Sequence, residues 1–199
     1  MIHRLRGGLD GLTDSEQRPL RPVGSSVREV AARTGRLLTK LRSMPGVRVC
    51  AGVRIGDDHL PIGFAITAGT QVMLIESVAW PVGAYTVAAD GRVLCDGIYI
   101  GQSVGPLIGS IHRLRHTLPP HHRVSAVIVV HPYGAGPSAL PESTPAALTW
   151  VRPVDAAGHI GYRLRRGRRG SRAPRAGGRS PAELPGMVNS SPRPATPRG

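Results

Sequence analysis

Residues 71–80 read QVMLIESVAW, and this apolar stretch decides the fold. Its composition predicts a strand that carries one acid, Glu76, in its second half. Residues 47–55 and 60–67 show the patterns of two further strands, and turn-forming residues separate the three. The middle of the chain is therefore predicted to form a sheet.

The elements around these strands complete an α/β domain. Ser26 and Glu29 have the spacing of a helix capping box, and an apolar stripe at helical spacing follows as far as residue 41. Asp90-Gly91 predicts a hairpin, and the β-branched run 124–130 predicts a strand buried on both faces. The remaining predictions are a strand break at 81–83, a helix over 103–118, a loop over 132–145 and a last strand over 148–151.

The order of these elements predicts the fold class. It is α/β, with a small central mixed sheet flanked by helices in the order αβββαβ. The third strand and the strand over 124–130 are expected to be parallel, because a helix connects them.

Charge and composition divide the chain into three parts. The net charge is +14, and residues 163–199 contribute ten arginines against one glutamate. So few apolar residues lie there that burial cannot offset the ordering entropy, which predicts a disordered basic tail. Residues 1–24 lack periodicity and predict a flexible N-terminal arm. The folded domain is thus predicted over 25–162.

Cysteine content and hydropathy indicate the compartment. Cys50 and Cys95 form no disulfide framework, which is typical of a reduced protein. The sequence shows neither the apolar region of a signal peptide nor an apolar run long enough to span a membrane. A cytoplasmic protein without a membrane partner is expected.

The stretch 62–108 resembles the nuclease-related (NERD) domain family, in versions typical of actinobacteria. The matching features are Glu76 at the end of the apolar strand, then Ser77, Trp80, and the Gly83-Ala84-Tyr85 hairpin segment before a helix. The likeness extends over about 25–155 and is specific across 60–115. It implies a PD-(D/E)xK nuclease-like fold with a restriction-endonuclease-like core.

The family's chemistry requires three groups, of which two are missing here. Acid and lysine two residues apart share one face of a strand, and the acid holds a divalent cation with an aspartate from the preceding strand. Glu76 keeps the acid, whereas Val78 stands at the lysine position and Gly63 at the aspartate position. The resemblance therefore implies a degenerate domain with no cofactor, in which Glu76 is a vestigial catalytic residue.

A rebuilt metal site is the alternative. Asp58-His59 is similar to the family's Asp-His pair, so Glu76 and Asp58 are the predicted ligands of Mg²⁺ or Mn²⁺ in that case. Further spare groups are Asp57, Asp90, Asp96 and Lys40.

Other polar residues are interpreted as structural. Glu29 matches a glutamate on the family's first helix, but the capping box accounts for it. His112 and His116 have a spacing found in zinc sites, yet both project away from the apolar stripe and are predicted to be solvated.

The arginines of the tail are candidate contacts for nucleic acid. A flexible cationic segment neutralises phosphates in a salt-dependent manner that tolerates many sequences; the alternative is a solvated tail without a partner. The candidate residues are Arg163, Arg165, Arg166, Arg168, Arg169, Arg172, Arg175 and Arg179.

Three functional hypotheses follow from the sequence. The first is a non-catalytic module that binds nucleic acid through the tail, or a protein partner through the former active-site face. The second is a metal-dependent nuclease with relocated ligands. The third is an unrelated small α/β interaction protein in which Glu76 has no role.

Overall fold

A computed structural model of the chain describes residues 5–6, 8–55, 60–142 and 147–169. Within these ranges the backbone forms eight strands and four helices. In chain order they are β1 (Leu5–Arg6), α1 (Val27–Leu37), α2 (Thr39–Arg42), β2 (Val47–Val53), β3 (Ile62–Ala68), β4 (Gln71–Val87), β5 (Arg92–Cys95), β6 (Ile98–Ser103), α3 (Gly105–Thr117), β7 (Arg123–Ala139), β8 (Leu148–Val151) and α4 (Pro153–Arg169).

Strand β4 is at the centre of a mixed sheet. It pairs antiparallel with β3 and β5 and parallel with β7, while β2 pairs antiparallel with β3. β8 continues the sheet parallel to β7, and β1 pairs parallel with β2. The mixed α/β fold and the parallel crossover through α3 are as predicted.

Helices cover both faces of this sheet. Met73 and Ile75 of β4 belong to a core with α1 and α4, whereas Leu74, Val78 and Trp80 belong to a second core with α3. The alternation follows from the strand period of two residues. Neighbouring residues of β4 therefore face different environments.

The predicted capping box begins α1. The Ser26 hydroxyl accepts from the Glu29 backbone N–H at 3.2 Å, and the Glu29 carboxylate accepts from the Ser26 N–H at 2.9 Å. These bonds stabilise the ionised form, so the pKa of Glu29 is lowered, first of all by the Ser26 backbone. Glu29 is thus a capping residue, as predicted.

The predicted break at 81–83 is wrong. β4 continues to Val87, and β7 runs beside it to Ala139, with an irregularity between Pro81 and Gly83 that shifts the register. A bulge of this kind absorbs a proline without ending a strand. The predicted loop over 132–145 is wrong for the same reason over 132–139.

The expectation of a flexible N-terminal arm is corrected for residues 8–24, here called the N-terminal segment. Leu12 and Leu20 are buried, and the Val23 N–H donates to the Ala79 carbonyl at 2.6 Å. The Ser103 N–H donates to the Pro19 carbonyl at 2.8 Å. Sequence periodicity does not reveal such a segment, because isolated side chains and backbone bonds hold it.

The predicted start of the tail at Arg163 is also corrected. Residues 163–169 continue α4, and Leu164 is fully buried together with Ala156 and Ile160. These three are spaced by four residues, which is a helical stripe. The stripe was not recognised in the sequence because arginines are abundant on the other faces of α4. The rest of the predicted tail, 170–199, lies outside the described residues.

Candidate functional site

Glu76 is buried on the face of the sheet that α3 covers. Its side chain lies beside a cavity between the N-terminal segment, β3 and α3, and it is 6% exposed. One carboxylate oxygen accepts from Arg18 Nη2 at 3.1 Å, and the other accepts from the Gly63 N–H at 3.3 Å. Both oxygens therefore have protein donors.

Arg18 reaches Glu76 from the N-terminal segment. Its Nη2 also donates to the Pro61 carbonyl at 2.8 Å, and the residue is 4% exposed. Burial raises the pKa of the Glu76 carboxyl, and the Arg18 charge opposes this shift. The acid that the sequence singles out is therefore held in a buried ion pair.

Val78 and Gly63 stand at the two positions where the resemblance implies a lysine and an aspartate, and they face opposite sides of the sheet. Val78 is fully buried in the same core as Leu74. Along β4, Leu74 lies two residues before Glu76 and Val78 lies two residues after it. A Cβ at Gly63, however, would lie 4.0 Å from the Ala31 side chain on α1. The β3 side chain that lines the cavity with Glu76 is that of Ile62.

The described residues around Glu76 do not fit a divalent cation. Such ions need several oxygen ligands, but Glu76 is the only carboxylate among the described residues that line the cavity. In the described part of the chain no three His, Cys, Asp or Glu side chains are grouped as metal ligands would be. Asp57, Asp58 and His59 lie outside the described residues.

The other predicted spare groups lie elsewhere. Asp90 pairs with Arg92 at 2.6 Å, and Asp96 accepts from the Ala84 N–H at 2.9 Å. Lys40 is exposed on α2. None of the three lines the cavity beside Glu76. His112 and His116 are exposed on α3, as predicted.

Trp80 joins the N-terminal segment to the sheet. Its indole N–H donates to the Gln102 side chain at 3.0 Å and to the Arg21 carbonyl at 3.1 Å. The Gln102 oxygen also accepts from the Arg21 N–H at 2.9 Å, and the Trp80 ring stacks on Tyr85. These contacts fix the part of the chain that carries Arg18.

A buried polar chain on the opposite face was not predicted. The Ser77 hydroxyl donates to the Thr34 hydroxyl at 2.8 Å, and Thr34 lies 2.8 Å from His131 Nε2. All three side chains are buried. Burial, and then the charges of Arg33 and Arg36, lower the pKa of His131 to about 4. The chain thus satisfies polar groups between α1, β4 and β7.

A groove of about 840 Å³ lies between the C-terminal half of α4, the end of α3 and the start of β7. No Asp or Glu is found among the described residues that line it. Its cationic and imidazole side chains are Arg115, His122, Arg123, His159, Arg163 and Arg166, and these six residues define the basic groove.

Two arginines of the basic groove are held in place by the protein. Arg115 Nη2 donates to the Val124 carbonyl at 3.0 Å, and Arg163 Nη1 donates to the Thr149 hydroxyl at 2.8 Å. Burial, and then the Arg163 charge, lower the pKa of His159. Tyr162 is 58% exposed and lines the same groove.

The predicted arginines fall into four groups. Arg163 and Arg166 line the basic groove, and Arg165 is exposed on α4. Arg168 and Arg169 belong to α4, and nothing is described of their side chains. Arg172, Arg175 and Arg179 lie outside the described residues. Arg115 and Arg123 were missed, because only the fold brings them beside α4.

Comparisons with family models, with curated proteins and with solved structures found no match. Among the described residues, no helix has the length and apolar character needed to cross a membrane.

Proposed function

We propose that this chain is a nucleic-acid-binding domain without a catalytic centre, of a degenerate nuclease-related type. The observation that carries the proposal is the basic groove, which brings four arginines from three elements to one concave surface. Such a surface attracts phosphates and releases their counterions. Binding is expected to be salt-dependent and tolerant of sequence.

The basic groove is better organised for this purpose than a tail alone. Arg115 and Arg163 have fixed positions through their bonds to the domain, so less side-chain entropy is lost when a phosphate binds. The exposed Tyr162 ring offers a surface on which an unpaired base can stack. We therefore expect single strands to bind at least as well as duplexes.

The surroundings of Glu76 support the non-catalytic part of the proposal. Arg18 and the Gly63 N–H occupy its two oxygens, and apolar side chains stand at the neighbouring positions. A nuclease with relocated metal ligands is the alternative, and it requires Glu76 to exchange Arg18 for a cation. The cytoplasm is the compartment in which we expect the protein to act.

Binding is tested by fluorescence anisotropy with labelled single-stranded and duplex DNA and RNA over a series of salt concentrations. Arg123→Gln/Arg166→Gln should weaken binding and reduce the slope of log K against log salt by about 0.7–0.9 for each phosphate that is no longer neutralised. The matched control is Lys40→Gln/Arg48→Gln, which removes the same charge from exposed sites outside the groove. An equal decrease of affinity in both double variants would show that the basic groove is not the nucleic-acid-binding site.

Catalysis is tested by incubating the purified protein with plasmid, single-stranded DNA and RNA, in Mg²⁺, in Mn²⁺ and in chelator. We expect no cleavage above that of the chelated sample. Metal-dependent cleavage that Glu76→Ala abolishes would establish the nuclease alternative instead.

A further inference from the structure

The cavity beside Glu76 has a composition different from that of the basic groove. It measures about 330 Å³ and lies between the N-terminal segment, β3, β4 and α3. Its walls are mostly apolar, with Leu20, Ile62 and Leu107 among them, and its charged lining residues within the described chain are Arg18 and Glu76. Cavities of this size with a few convergent polar groups are typical of small-molecule sites. We call it the Arg18 cavity.

Arg18 has more hydrogen-bond donors than partners. Nη2 serves both Pro61 and Glu76, but Nε and Nη1 have no acceptor among the described residues. These nitrogens carry three N–H groups, and the side chain is 3% exposed. Buried donors of a charged group without an acceptor are costly. Within the described part of the chain, the guanidinium therefore has more donors than acceptors.

Glu76 contacts only one nitrogen of the Arg18 guanidinium. Glu76 shares its carboxylate with the Gly63 N–H, and burial raises the pKa of this carboxyl. A second anionic acceptor would complete the coordination of the guanidinium, whose N–H groups match the geometry of a carboxylate.

We propose that the Arg18 cavity binds a small monocarboxylate with an apolar body. The guanidinium turns to bring Nη1 of Arg18 to the cavity, where the carboxylate accepts from it, and the apolar part lies against Leu20, Ile62 and Leu107. A dianion such as phosphate would meet only one guanidinium and the opposing Glu76. This site is separate from the proposed nucleic-acid groove, and no described residue lines both.

The probe is octanoate, with octan-1-ol and octylamine as ligands of equal chain length and different head group. Binding is measured by titration calorimetry and by ¹H–¹⁵N chemical shifts of the intact chain. We expect saturable binding of octanoate, with shifts around Ile62 and Leu107, and at least tenfold weaker binding of both other ligands. No saturable binding, or equal binding of octanoate and octan-1-ol, would overturn the proposal.

Two variants test the head-group contact. Arg18→Met should remove the preference for octanoate over octan-1-ol. Glu76→Gln keeps Arg18 and removes the competing carboxylate, so octanoate should bind several-fold more tightly even if Arg18→Met does not fold. Unchanged octanoate affinity in Glu76→Gln contradicts the proposal. Arg48→Met, at an exposed position of β2, is the control and should bind as the unaltered chain does.

Discussion

At the scale of single residues, burial decides what the ionisable groups do. Glu76 and His131 lie on opposite faces of the same sheet, and both are buried. Burial disfavours the charged form, so it raises the pKa of Glu76 and lowers that of His131. Each group therefore makes the free energy of unfolding depend on pH, and the charges near the group strengthen or weaken this dependence.

Arg18→Met leaves the Glu76 carboxyl buried without its cation. Near neutral pH we expect the free energy of unfolding to fall by about 3–5 kcal/mol, as for other broken buried pairs. The loss should be smaller near pH 5, because a buried acid whose pKa is raised binds a proton more tightly when folded and loses stability as pH rises. Urea denaturation at both pH values measures this. Arg18→Met/Glu76→Gln should recover part of the loss at pH 7; an equal loss at both pH values, without recovery, would contradict the ion-pair interpretation.

His131 should make the fold acid-sensitive. Its pKa falls from 6.5 to about 4 on folding, so the unfolded chain binds the extra proton first and stability declines as pH drops through this window. After a discount for solvent screening, we expect a loss of about 2 kcal/mol between pH 7 and 4 that is specific to this residue. His131→Gln keeps a partner for Thr34 and should flatten that part of the profile. His116→Gln, at an exposed site, should leave it unchanged.

At the scale of elements, glycine positions determine how the strands and the N-terminal segment meet. Gly52 lies within β2 at φ +60°, where a Cβ would collide with the Gly8 carbonyl oxygen. Gly109, by contrast, is exposed in α3 with open space around it. The same substitution should therefore act in opposite directions at the two sites.

Gly52→Ala should lower the free energy of unfolding by at least about 1–2 kcal/mol, the cost of left-handed backbone for an L-residue, with the collision in addition. Gly109→Ala should raise it by about 0.5–1 kcal/mol, because alanine has the higher helix propensity. Thermal and urea unfolding of both variants measures the difference. A neutral Gly52→Ala would mean that the N-terminal segment does not pack as described.

At the scale of the whole molecule, α4 belongs to both the core and the candidate interface. Its buried stripe of Ala156, Ile160 and Leu164 packs in the core with α1, while Arg163 and Arg166 line the basic groove. The predicted boundary at 162 would cut through this helix. A deletion of 163–199 would therefore remove the tail and damage the domain at the same time, so the two effects could not be separated.

Two truncations separate these effects. A chain that ends at Arg169 should keep the melting temperature of the full chain and the groove's salt-dependent binding. A chain that ends at Tyr162 lacks Leu164, and removing a buried leucine costs about 2–5 kcal/mol, so its melting temperature should fall clearly. If the chain that ends at Arg169 binds no nucleic acid, the tail rather than the basic groove carries the binding.

The amino-acid sequence alone determined the elements that depend on local pattern. The capping box at Ser26, the hairpin around Asp90-Gly91 and the strand over 148–151 follow from short-range chemistry and were predicted. The presence of an acid at Glu76, with apolar Val78 beside it, also needs no structure.

Only the tertiary structure decided what surrounds these residues. Arg18 pairs with Glu76 across 58 positions of the chain, and Arg115 and Arg163 line one groove because the end of α3 and the C-terminal half of α4 both lie near the start of β7. Sequence periodicity reports which face of an element is apolar. It does not report which distant segment covers that face, since this depends on packing between elements remote in the chain.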